Sequence, residues 1–312
     1  MDYVCYYFDI NDACFQNFIK LGILSIRKLK KQKKEEGIDM HLSKKTKFII
    51  YFLLIIFAIY FTAPFIYMVF SAFKTEAEAI AYPPKFLPSQ WHFENFIKAW
   101  KSQPFGTYLF NSILVTALTT LGQVISCSLV AYGFARFEFK GRDILFMILM
   151  ATMMIPWDVT MIPQYMEFNK FGWINTLKPL IVPAWFGSAY YIFLMRQFLL
   201  SVPKDFEEAA RIDGANAFQI YLKVFMPILK PSLILVAVLN MITVWNDYLG
   251  PLIFLQERNK YTLALGLAAF KGVHSTKIIP MLCITIIMII PPVLTFIFSG
   301  KHIVESTGGG VK

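Results

Sequence analysis

Charge is scarce in this sequence. Only 16% of its 312 residues are Asp, Glu, Lys or Arg, where a soluble domain carries about 25%. Hydrophobic residues make up 57%. Together these exclude a disordered chain and argue against a water-soluble globular enzyme. Cysteine and histidine are sparse as well. Cys5, Cys14, Cys127 and Cys283 form no CxxC pair, and His41, His92, His274 and His302 form no cluster. Neither a disulfide framework nor a metal site is indicated. HExxH and GxSxG are absent, and so is a Walker A loop: Gly300-Lys301 is followed by His302 and lacks the upstream glycine. On this reading the chain holds no cofactor and does not hydrolyse ATP by itself.

What the sequence has is long uncharged runs. Residues 48–73, 102–135, 144 onward (interrupted by Asp158), 179–195, 231–255 (interrupted by Asp247) and 278–300 are apolar. A hydrocarbon core of about 30 Å takes about 20 residues of helix. The runs therefore predict an all-α, polytopic membrane protein with six transmembrane helices. Prolines recur in or near these runs, among them Pro64, Pro156, Pro163, Pro183, Pro251, Pro280, Pro291 and Pro292. Membrane bundles tolerate them because neighbouring groups satisfy the freed carbonyls. They fit either kinked helices in a shape-changing conduit or ordinary membrane proline usage.

Net charge is +10, and position decides its meaning. The basic residues are dense before the first run, notably at Lys28, Lys30, Lys31, Lys33 and Lys34. Such clusters mark the cytoplasmic side of a span rather than a nucleic-acid surface. The N- and C-termini are thus expected inside the cell, with inner loops near 134–143, 197–230 and 301–312. Residues 1–42 differ in character from the rest. They read either as an interfacial amphipathic segment or as sequence upstream of a true start at Met40, and they lack the apolar core of a cleavable signal peptide.

The longest inner hydrophilic stretch, 201–230, carries the mechanism. A short helix is predicted to begin near Pro203, a residue tolerated in the first turn. Asp213-Gly214 stops it, glycine suiting the left-handed position after a helix. Asn216 caps a second helix expected to reach Pro227. Ala209, Ala210, Gly214, Ala215 and Ala217 are small enough for close approach of another surface. Glu207 and Glu208 border that face and could pair with a partner's basic groups, and Phe206 and Phe218 are candidate anchors. The same residues also suit a plain connector between two spans.

Here the sequence resembles a known family. Glu-Ala-Ala, three residues, Gly, nine residues and Ile-x-Leu-Pro form the EAA motif of ABC-importer permeases. This chain has Glu208-Ala209-Ala210, Gly214 and then Val224-Phe225-Met226-Pro227, with Val for Ile and Met for Leu. The longer form over 208–215, including Asp213 and Ala215, resembles the MalG-like permeases of carbohydrate uptake. So do residues 135–142, Trp245-Asn246-Asp247-Tyr248 with Pro251-Leu252, Tyr261-Thr262-Leu263 with Gly266-Leu267, Phe270-Lys271-Gly272 and the Gly-rich tail 308–312. The resemblance covers about 44–312, a permease domain at 43–312 with its core at about 107–300.

The resemblance implies a MetI/MalG-like fold in the bacterial inner membrane, forming half of a sugar path beside a second permease. Two ATPase subunits, holding ATP and Mg, would grip the 201–217 elbow inside the cell. A solute-binding protein would deliver carbohydrate outside, against the loop 256–277. Trp245, Asn246, Asp247, Tyr190 and Tyr191 are candidates for the sugar path, as is Asp158, since acids and aromatics at membrane depth often serve a substrate. Trp245 is equally at home as a packed side chain. The competing classes are an ion-coupled secondary transporter, which would place a coupling site at the midplane, and an intramembrane enzyme.

Overall fold

The structure, a computed structural model, describes residues 44–271 and 277–308, with side chains over 45–271 and 277–300. The N-terminal segment 1–42 with Met40, the glycine at 272 and the tail from 309 lie outside the described residues. The elements among those described are helices. They fall in two compact units, one holding the helix Lys44–Ser71 with Phe86–Pro88, the other holding Ala72–Lys85 and the chain from Ser89 onward.

The first unit is built on α1 (Lys44–Ser71). At 1.5 Å per residue its 28 residues reach about 42 Å, longer than a hydrocarbon core. It is apolar on all sides, so no face selects an aqueous solvent. Phe48 stacks on Phe52 and Phe57 on Phe61, at 6.2 and 6.4 Å between ring centres, as residues four apart on a helix do. Tyr67 and Phe70 both meet Phe86.

The second unit is organised around α3 (Phe105–Arg136), which follows the short amphipathic α2 (Glu94–Lys101). Then come α4 (Arg142–Ala151) and α5 (Trp157–Lys170), α6 (Ala189–Leu200) and α7 (Asp205–Ile212). The chain continues as α8 (Ala217–Trp245), α9 (Leu249–Phe254), α10 (Leu263–Ala268) and α11 (Ile278–Gly308). Buried side chains form two clusters along α3. One joins its second half to α6 and α8 through Cys127, Ala131, Tyr132, Met195, Leu199 and Phe225. The other joins its first half to α8, α10 and α11 through Phe105, Tyr108, Trp245, Leu263 and Ile284. At Gly266 a Cβ would collide with the Tyr108 ring, so only glycine lets α10 lie this close to α3.

All six apolar runs are helical, but they are not six straight spans. Among the described residues, four helices are long and apolar enough to cross a membrane: Lys45–Ser71, Phe105–Arg136, Ala217–Trp245 and Ile278–Gly300. The third run is a pair, Arg142–Met154 and Trp157–Lys170, bent by 97°. Pro156 sits at the break and holds Ile155 extended (φ -87°, ψ 110°), because proline clashes with a helical predecessor. The fourth run is in pieces. A turn at Lys178–Ile181 and a 3-10 turn at Val182–Phe186 precede Gly187 at φ +84°, and only then does α6 begin. Pro179 and Pro183 sit in the first turns of these pieces. Pro231 and the Pro291-Pro292 pair, by contrast, lie inside unbroken helices.

The fifth run is shifted. Its helix begins at Ala217, not near 231, and stops at Trp245 instead of continuing to 255. A π-turn at Tyr221–Phe225 carries the helix past Pro227. One extra residue per turn is the local adjustment that absorbs a misfit in the hydrogen-bond ladder.

Candidate functional site

The elbow between α6 and α8 forms as a left-handed stop followed by a new start. α7 carries Asp205, Glu207 and Glu208 in its first turn and Arg211 in its last, each complementing the helix dipole. It ends at Gly214 with φ +81°. The Ala215 N–H donates to Ala210 O at 3.0 Å and the Gly214 N–H to Arg211 O at 3.0 Å. This six-to-one and five-to-two pair satisfies the last carbonyls of the helix. Asn216 then opens α8 with a reciprocal cap. Its Oδ1 accepts from Gln219 N at 2.9 Å, and its own N–H donates to Gln219 Oε1 at 2.9 Å.

Three apolar side chains of the elbow face outward: Phe206 at 45% exposure, Ile212 at 86% and Phe218 at 62%. Glu208, Ala209, Asp213 and Gly214 are exposed too, whereas Ala210 and Ala215 are half-buried against the core. Glu207 departs from expectation. It is buried, and its carboxylate takes a 2.7 Å bond from Arg211 one turn on, so it serves the elbow itself rather than a partner's cation. Pro227 lies past the π-turn on α8 and outside the exposed corner.

α3 seats this corner, through residues outside the EAA pattern. The Arg136 guanidinium donates to Leu199 O at 2.6 Å and Val202 O at 2.8 Å, and lies 4.6 Å from the centre of the Phe225 ring. The Tyr132 hydroxyl donates to Ala217 O at 3.2 Å, and Ser128 shares a 2.7 Å bond with the Tyr221 hydroxyl. In the sequence Arg136 shows as the cation that ends a 34-residue uncharged run at 102–135 and as part of the family-like stretch 135–142, and neither signal names its carbonyl partners.

At the other end of α3 one loop is tied to it and to a second loop. Asn111 Nδ2 donates to Asn259 O and Tyr261 O, and Leu263 N donates to Ser112 Oγ at 2.7 Å. Asn175 Oδ1 accepts from Gln256 N and Glu257 N, while its Nδ2 donates to Glu257 Oε1 at 2.8 Å. Glu257 is fully exposed, and the Asn175 bond holds its carboxyl below the usual range.

The sugar-path candidates have different surroundings. Trp245 is buried, and its Nε1 donates to Met288 O on α11 at 2.9 Å; it braces two helices and presents no free face for stacking. Tyr191 is buried as well, while its neighbour Tyr190 is 44% exposed. Asn246 bonds back to Ile242 O of its own helix. Asp247 Oδ1 accepts from Gly250 N at 3.1 Å, an interaction that starts α9. Asp158 occupies the exposed first turn of α5.

Long apolar helices joined by a reciprocally capped, outward-facing elbow define a polytopic, all-α membrane protein. Residues 125–303 match the family described as "Binding-protein-dependent transport system inner membrane component", and this chain belongs to that family. It is 33% identical to the "Probable ABC transporter permease protein YurM" of Bacillus subtilis, over 82% of this chain and 85% of the relative. It is 31% identical to the "Arabinooligosaccharides transport system permease protein AraQ" of Halalkalibacterium halodurans, over 73% and 82%. Among solved structures it resembles a bacterial ABC transporter involved in the import of the acidic polysaccharide alginate. That likeness has a TM-score of 0.73 and 25% identity, and covers 84% of this chain and 98% of the other.

Proposed function

We propose that this chain is the permease subunit of an ATP-driven carbohydrate importer in the bacterial inner membrane, with both termini in the cytoplasm. It forms half of the translocation path beside a second, related permease. Two ATPase subunits bind ATP and Mg and grip the loop 201–230. A solute-binding protein presents the sugar at the opposite end of α3, where the loops around Asn175 and Glu257 meet. The carbohydrate assignment is supported by relatives named for oligosaccharide and polysaccharide transport. The bulk of the chain, 43–312, is the permease domain.

One observation carries the coupling: the corner at Gly214 exposes Phe206, Ile212 and Phe218 beside the short side chains of Ala209 and Gly214. Exposed apolar residues clustered on a rigid turn suit insertion into a partner's cleft. ATP closure of the ATPase pair then selects one of two bundle states, by no more than its differential affinity for them.

Ile212→Glu tests this. The side chain touches little within the chain, so the protein should reach the membrane in normal amount. Copurification of the ATPase subunits should fall by at least about tenfold, the loss of one apolar anchor of about 2 kcal/mol. Full retention of the ATPases by Ile212→Glu would show that the elbow is not the grip.

A further inference from the structure

Arg136 is the last residue of α3, and it meets both sides of the elbow. On the entry side its guanidinium holds Leu199 O, near the end of α6, which also accepts from Val202 N at 3.1 Å, and Val202 O just past that end. These oxygens also carry the negative end of the α6 dipole, so a cation is favoured there. On the exit side the same group lies against the face of Phe225 at 4.6 Å, the last residue of the π-turn. One turn back on α3, Tyr132 adds the bond to Ala217 O, the first residue of α8.

The chemistry demanded at this position is narrow. Two converging carbonyls and an aromatic face suit a planar fork that keeps its charge, and lysine offers a single ammonium in its place. The Arg136 Nε is buried and has no hydrogen-bond partner among the described residues. Glu207 bears on Arg136 electrostatically while bonded to Arg211. Without Arg136, the 199–202 corner would lose its hydrogen bonds to α3. The long Arg196 Nε bond to Phe134 O at 3.4 Å and the exposed Lys204–Glu138 pair at 3.8 Å are weaker ties, and α7 could pivot about Ser201 and Pro203 with little pull on α3.

We propose that Arg136 is the positioning residue that makes the elbow and α3 one rigid lever, so that displacement of the elbow becomes displacement of the transmembrane bundle. This rests on the elbow being the part that the ATPase subunits grip. Arg136 itself touches no substrate.

The test measures spin-label distances in the assembled transporter, with its ATPase subunits, in lipid. One label replaces Lys140, just beyond α3, and the other replaces Asp205, at the start of α7; both positions are exposed, and the remaining cysteines are replaced by serine. A non-hydrolysable ATP analogue with Mg is then added. With Arg136 present, the Lys140–Asp205 distance should not change on nucleotide binding. In Arg136→Gln it should shift by about 2–5 Å, the scale of helix displacements in switching proteins, while the ATPases stay bound. Arg136→Lys should shift in the same direction by less, and it serves in place of Arg136→Gln if that variant fails to assemble. A residue that only stabilises the fold would lower the yield and leave the distance fixed in every variant, which overturns the proposal. So does a nucleotide-dependent distance in the parent protein. If instead the Ile212→Glu protein keeps its ATPases, it is the reading of the elbow that fails.

Discussion

At the scale of single residues, chemistry and position separate the side chains that look alike in the sequence. Glu207 and Glu208 are adjacent, yet one is buried and bonded to the exposed Arg211 while the other is exposed. Tyr190 and Tyr191 divide in the same way. Trp245 is the clearest case. Its indole N–H reaches a carbonyl on α11, so its place is set by a helix 43 residues away. Trp245→Phe should remove that bond and leave Met288 O unpaired, a loss of about 1–3 kcal/mol. Thermal unfolding in detergent should register the loss, while the KM for uptake stays at the parent value. A changed KM with unchanged stability would return Trp245 to the sugar path. Contacts of this kind could not be read from the sequence, because nothing local encodes which distant backbone group an indole will find. The same holds for Arg136 and its carbonyl partners, 63 and 66 residues on.

At the scale of elements, the local signals were legible and the continuity of the helices was not. Asp213, Gly214 and Asn216 announce a stop and a start within four residues, and the structure has both, down to the reciprocal Asn216–Gln219 bonds. Such motifs are legible because each is decided by its own backbone geometry. Proline is different. Pro156 stands at a 97° break and Pro231 inside an unbroken helix, so the neighbours, and not the residue alone, decide whether the chain turns. Hence the six apolar runs were legible, whereas the bent third, the divided fourth and the early start of the fifth were not. The left-handed corner gives a quantitative check. A Cβ at Gly214 meets nothing within 4 Å, so any cost of Gly214→Ala is one of backbone conformation, about 1–2 kcal/mol. Gly214→Asn should lose less, since asparagine tolerates this region. Equal stability of Gly214→Ala and the parent in thermal unfolding would contradict the left-handed stop.

At the scale of the whole molecule, the proposed function rests on two differently built ends of one long helix. The end of α3 near Arg136 holds an exposed corner, while the end near Asn111 holds interlocked loops. Between them the packing is close enough that a Cβ at Gly122 would lie 2.8 Å from the Trp185 ring. Packed interiors of this kind switch between discrete arrangements rather than deforming smoothly, which fits the two bundle states of the proposed function. The family was legible because its motif is local and falls on the corner; the sugar was not, because no short motif in the sequence encodes which side chains line a path.

The most direct measurement is site-specific photocrosslinking in intact cells from a photoreactive residue at position 218, where the native Phe is 62% exposed. The account predicts an adduct with a nucleotide-hydrolysing subunit, formed at the cytoplasmic face and changed in yield when cellular ATP is depleted. An adduct with an extracytoplasmic protein, or one that never includes an ATPase, would contradict it.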